Sequence, residues 1–166
     1  MIVLSDTTPI ISLLKIDRLY LLEKLFDEVL IPSAVYQELT SNSRFQAEAK
    51  TIRECAFIKT VSVENEELVR SLMIQSGLDQ GESEAIICSG EVDADLLLMD
   101  EVKGRQVATQ KGIRIMGTIG IMIAAYDMRF LSKEDIMHCV TALRETGRHI
   151  NEKLYVQLMQ RIGQQK

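Results

Sequence analysis

Four carboxylates in this chain stand where acids are unexpected. Asp6 closes the opening run "MIVLSD", and Asp100 closes "LLLMD". Glu38 lies in "PSAVYQEL", one turn after Ala34 and Val35, and Glu84 precedes Ala85, Ile86 and Ile87 in "ESEAII". The first two follow runs that read as buried strands, and the other two sit in apolar helical stretches. Sites in open parallel sheets collect outside the carboxyl ends of the strands, so Asp6 and Asp100 are expected on one edge of such a sheet. Carboxylates gathered there would repel by roughly 3 kcal/mol per pair at ~5 Å and an effective dielectric of ~20. Either some of them hold protons or a divalent cation sits among them. Oxygen-only ligands suit Mg²⁺ or Mn²⁺ and not zinc. The chemistry that follows is metal-assisted phosphodiester hydrolysis.

Each acid also has a structural use to be weighed. Asp100 could cap the helix that begins near Val102. Asp6 suits a cap less well, because Thr8 already precedes Pro9 at the spacing of an N-cap and first helical residue. Glu38 and Glu84 could lie at helix boundaries with their carboxylates in water. Glu82 forms a capping box with Asp79, yet could face the same cleft.

Lys103 and Arg105 follow Asp100 at the expected cleft edge, where they could meet a phosphate, and Lys111 and Arg114 could extend that patch. With 24 acidic against 19 basic residues the net charge is −5. A whole-surface grip on nucleic acid is therefore excluded, and only a local basic patch is compatible with it. Aromatic residues make up 5% and tryptophan is absent, which argues against an extensive base-stacking platform. Recognition of RNA would rest on phosphate and shape along a short single strand. His138 and His149 match no zinc spacing. Cys55, Cys88 and Cys139 form no C-x-x-C pair and read as reduced, buried thiols.

The elements that must position these groups follow from the apolar pattern. Strands are predicted at 2–5, 28–31, 58–63, "DLLLM" and 113–116. Helices are predicted from Thr8 to Lys15, 19–26, Pro32 to Ser41-Asn42, 44–55, 64–75 with a stop at Gly77, 79–90, 102–111 with Gly112 as cap, 118–128 and 132–144. A last amphipathic helix, capped by Asn151, places Ile150, Leu154, Leu158 and Ile162 on one stripe. That stripe could pack on this chain or on a partner. Met116, Met122 and Met128 are expected to fill core gaps or a helical interface. Strands alternating with helices mean an α/β fold with a mostly parallel sheet. The 166 residues suit a single domain over 1–166, with C-terminal helices from about 132 to 163. No run reaches the ~18 apolar residues of a membrane span, and no basic segment opens a signal peptide, so the cytoplasm is the expected location.

The order "LSDTTPII", "IPSAVYQEL", "GESEAI" and "LLLMDEVKGR" resembles the PIN-domain nucleases, in particular a bacterial and archaeal branch with "SDTSPLI", "IPxxVYxEL", "GExEAIxLA" and "DExxGR". The resemblance implies a three-layer α/β/α sandwich and a Mg²⁺- or Mn²⁺-dependent ribonuclease, often the toxin of a toxin–antitoxin pair. It implies Asp6, Glu38, Glu84 and Asp100 as the acidic, metal-binding site, with Glu82 and Glu101 as neighbours. Thr7 or Thr8 stands where the family often has a hydroxyl that orients a ligand or water. A homodimer or a small antitoxin partner is consistent with it. The "TND" common before the last family helix is replaced here by "MDE". Two other classes stay open. A haloacid-dehalogenase-like phosphatase needs D-x-D after the first strand, where this chain has Thr8 in the third place. A response-regulator receiver needs paired acids there, and only Asp6 is present. A binding module with the same fold and no turnover is compatible with the same four acids.

Overall fold

The computed structural model describes residues 1–41 and 46–163. The expected end of one helix at Asn42 and the start of the next at Arg44 lie outside them. Five strands form one all-parallel sheet in the order β3-β2-β1-β4-β5: β1 (Val3–Ser5), β2 (Val29–Pro32), β3 (Ile58–Val61), β4 (Leu96–Leu98) and β5 (Ile115–Met116). β1, β2 and β4, in the middle of the sheet, are short and buried on both faces, which is why they run almost continuously apolar, whereas the edge strand β3 exposes Lys59 and Thr60. Val3, Leu96 and Leu98 face one core, and Leu4 and Leu97 face the other.

The first core is covered mainly by α1 (Thr7–Lys15), α2 (Tyr20–Phe26), α8 (Thr118–Asp127), α9 (Lys133–Glu145) and α10 (Glu152–Gly163). α3 (Ser33–Ser41) and α4 (Gln46–Glu54) add Val35, Leu39 and Ile52 to it. The second core is covered by α5 (Glu66–Ser76), α6 (Gln80–Glu91) and α7 (Val102–Gln110). This is the expected α/β/α sandwich. β1 leads to β2 on one side and pairs with β4 on the other, so the switch point lies between β1 and β4.

Some boundaries differ from the sequence expectation. α1 begins at Thr7, not after Thr8, and its N-cap position is Asp6. α5 is capped by the Asn65 side chain, which accepts from the Leu68 N–H, and Gly77 ends it as expected. The strand predicted to Val63 stops at Val61. Met122 is buried, but Met128 is 61% exposed and fills no gap. On α10, Leu158 and Ile162 are buried while Leu154 is largely exposed. Cys88 and Cys139 are buried and Cys55 is half-buried. Burial pushes all three thiols up, Cys88 to about 12, so they are inert at neutral pH. Among the described residues no helix is long and apolar enough to cross a membrane.

Candidate active site

Asp6 leaves β1 at the switch point. Its backbone N–H donates to Leu98 O at 2.9 Å, extending the β1–β4 pairing by one residue. The residue is 3% exposed, and its carboxylate makes no cap bond to α1. Burial pushes its pKa up to about 7. The Thr7 backbone N–H opposes this, and the nearby carboxylates of Glu82, Asp79 and Glu38 reinforce it.

Those neighbours come from α6 and α3. α6 opens on the capping box foreseen in the sequence. Glu82 N–H donates to Asp79 Oδ1 at 2.8 Å, and Asp79 N–H donates to Glu82 Oε2 at 3.0 Å. The box places the buried Glu82 beside Asp6, and Glu82 Oε1 lies against the first turn of α7, near Gly104. Burial raises the pKa of Glu82, and the charges of Asp79, Glu101 and Glu38 add to the rise, opposed by the Asp79 backbone bond. Glu38 on α3 accepts a short hydrogen bond from the Thr7 hydroxyl. Burial raises Glu38 as well, with Asp79 and Glu84 as contributing charges and the Thr7 bond lowering it.

Glu84 and Asp100 are used differently. Glu84 lies two residues beyond Glu82, about 200° round the same helix, so the two point to different sides. Its Oε2 accepts the Ala34 N–H at 2.9 Å and its Oε1 accepts Gln80 Nε2 at 2.9 Å. Ala34 is in the first turn of α3, where backbone N–H groups have no partner within the helix. Glu84 therefore anchors the helix that carries Glu38. Asp100 accepts from both Thr118 N–H, at 2.7 Å, and the Thr118 hydroxyl, at 2.6 Å. It caps α8, not the neighbouring α7 as the sequence suggested. The N-cap position of α7 is the exposed Glu101, whose side chain makes no cap bond.

Of the basic residues expected at the cleft edge, the exposed Lys103 has its ammonium against Gly77, 3.0 Å from where a β-carbon there would stand. Arg105 is half-buried, and its Nη1 donates to Met99 O at 2.8 Å, tying α7 to the end of β4. Thr7 serves Glu38, and Thr8 lines a cavity shared with Asp100. The structure thus brings Asp6, Glu38 and Glu82 together. Asp79 joins them, although its sequence reading went no further than helix capping. The 200° between Glu82 and Glu84 was the available signal that only one of that pair could face Asp6.

A family model described as a PIN domain matches residues 2–164. The chain belongs to the PIN-domain family. A search of the curated proteins finds no match to it. PIN domains are generally nucleases and generally use divalent metal ions. This PIN domain suits such an ion in donor type and charge: the donors around Asp6 are all carboxylate oxygens, and Asp6 is raised by burial among like charges, which a cation would relieve. Among the described residues, however, no group of three or more His, Cys, Asp or Glu side chains is arranged to hold a metal ion. Four carboxylates are each turned to a protein donor: Glu38 to Thr7, Glu82 to Asp79, Glu84 to Ala34 and Asp100 to Thr118. Holding an ion in this PIN domain would require Glu38 or Glu82 to exchange such a bond for the cation.

Two substitutions separate positioning from ion binding. A β-carbon on Gly81 would stand 2.7 Å from Glu38 Oε1, so glycine leaves room for the Glu38 carboxylate against α6. Gly81→Ala is expected to hold or raise the melting temperature, since alanine favours a helix by about 1 kcal/mol. Displacement of Glu38 should at the same time cut nuclease activity by roughly ten- to a hundredfold. Glu84→Ala should instead cost about 1–3 kcal/mol, a fall of roughly 3–10 °C, because the Ala34 N–H loses its partner. Glu84→Gln keeps an acceptor and should lose less. Thermal melts of the three variants beside wild type check the stability expectations, and RNA cleavage by Gly81→Ala checks the loss of activity.

Proposed function

We propose that this PIN domain is a metal-dependent endoribonuclease that hydrolyses phosphodiesters of single-stranded RNA with Mg²⁺ or Mn²⁺. The observation that carries the reading is Asp6, buried at the sheet switch point among the carboxylates of Glu82, Asp79 and Glu38. Asp6, Glu38 and Glu82 would hold the ion, with Glu84 and Asp100 completing the acidic set from α6 and β4. A hard divalent ion supplies a lowered pKa of water and neutralised phosphate charge. Thr7 orients Glu38, Glu84 orients α3, and Asp100 orients α8. Lys103, exposed after Asp100, would draw in a phosphate. The proposal extends to the toxin of a toxin–antitoxin pair acting in the cytoplasm, with a small antitoxin protein and a homodimer as partners.

One observation favours a second reading, a nucleic-acid- or protein-binding module of weak activity: four of the carboxylates are already bonded to protein donors. Labelled single-stranded RNA incubated with the purified chain, with Mn²⁺ or Mg²⁺ and with chelator, separates the two. Cleavage that chelator stops supports the nuclease. Tight RNA binding without any cleavage supports the module.

A further inference from the structure

A cluster of carboxylates repels a polyanion, so a ribonuclease needs cations where the RNA enters. The chain places one, Arg148, beside the donor-bearing His149, in a part of the fold that the acidic motifs do not mention. A cavity of about 380 Å³ adjoins the acidic edge, between α1, the starts of α7 and α8, and the loop from α9 to α10. Thr8, Asp100 and Thr118 line one side of it, and Arg148, His149 and Asn151 the other. Its volume is at the small end of ligand sites, about 300–1,000 Å³, a size suited to one nucleotide.

The loop is held at both ends. α9 ends in a left-handed Gly147, φ +82°, with Gly147 N–H donating to Arg144 O and Arg148 N–H donating to Leu143 O, both at 3.0 Å. That is a Schellman-type stop, and it fixes the backbone of Arg148. Three residues on, Asn151 Oδ1 accepts the Lys153 N–H at 2.8 Å as α10 begins. α10 is itself pinned to α8. Arg161 donates twice to the Asp127 carboxylate at 2.9 Å, and the Tyr126 hydroxyl donates to Ile162 O at 3.2 Å. The Arg144 guanidinium lies 4.6 Å from the Tyr155 ring centroid, joining α9 to α10. Among the described residues the half-buried Arg148 side chain forms no ion pair and no hydrogen bond. A guanidinium on a cavity wall without a carboxylate partner is a ready donor to a phosphate. Val102 and Leu154, 66% and 42% exposed, also line the cavity and give a base an apolar surface.

We infer that this cavity receives a nucleotide of single-stranded RNA flanking the cleaved bond, with Arg148 and His149 contacting its phosphate. The inference rests on the ribonuclease reading. The test is fluorescence anisotropy of a labelled single-stranded RNA with the full chain in Ca²⁺, a hard divalent ion with the same preference for oxygen ligands. Arg148→Ala should weaken binding about tenfold and make the dependence of log affinity on log salt shallower by ~0.7. Arg148→Lys should keep the salt slope, and His149→Ala should weaken binding less than Arg148→Ala. Lys133→Ala, at the far end of α9, should bind as wild type. If Arg148→Ala melts early, Arg148→Gln carries the comparison. Wild-type affinity in the Arg148 and His149 variants overturns the inference and leaves the ribonuclease reading standing. A wild-type chain that neither cleaves nor binds RNA in any divalent ion overturns that reading, and this inference with it.

Discussion

Asp6→Asn should abolish metal-dependent RNA cleavage and make the folded chain more stable at the same time. Removing residues that merely orient metal ligands costs about 10–100-fold, so loss of the carboxylate at the centre of the cluster should exceed a hundredfold. Stability should move the other way. Folding holds the Asp6 pKa at about 7 against an ordinary 3.8, because the charge is buried near Glu82, Asp79 and Glu38. At pH 8 without divalent ion the folded chain must carry that unfavourable charge. An amide of the same shape carries none and still offers an oxygen to the Thr7 N–H. The gain is of order 2–4 kcal/mol, the upper figure corresponding to the whole shift. RNA cleavage and chelator-treated melts on the same two preparations check both effects. Equal cleavage by both proteins would remove Asp6 from the site. Equal stability would mean that its charge is better solvated than its burial implies.

The second large effect is a pH-dependent response to the ion. A carboxyl whose folded pKa is raised binds its proton more tightly in the native state than in the unfolded one. The stability contributed by Asp6 is therefore complete below about pH 4 and is lost as pH rises to about 7. Glu38 and Glu82 shift in the same direction and add to the decline. A divalent cation competes with those protons, so its effect must run opposite. Above pH 7, Mn²⁺ at a hundred times its dissociation constant should stabilise the fold by about 2.7 kcal/mol, a rise of roughly 5–11 °C. Near pH 5 the rise should shrink towards zero, because Asp6 is then protonated. Melting curves with Mn²⁺ and with chelator across pH 5–8 measure this. A shift that does not depend on pH would place the ion away from Asp6.

Much of the architecture was legible from local pattern. Short, continuously apolar strands alternating with capped helices specify a parallel sheet between two helical layers, because only such a sheet buries both faces of every strand. The Asp79–Glu82 box was legible too, since its donors and acceptors lie within one turn of chain. Asp6 and Asp100 follow adjacent parallel strands, and their shared edge followed from that alone. Tertiary structure decided what each acid touches. Glu84 meets the first turn of α3, and Asp100 meets Thr118 at the start of α8. Both partners are remote in sequence, and no spacing rule announces them. Arg148 and His149 reach the acidic edge because α9 and α10 pack on the sheet face behind α1 and α8. The sequence by itself determined which groups could carry charge and where helices start and stop, because those are short-range matters of hydrogen bonding and apolar period. Only the folded chain decided what holds Glu38, Glu84 and Asp100, because their donors on Thr7, Ala34 and Thr118 lie far along the chain.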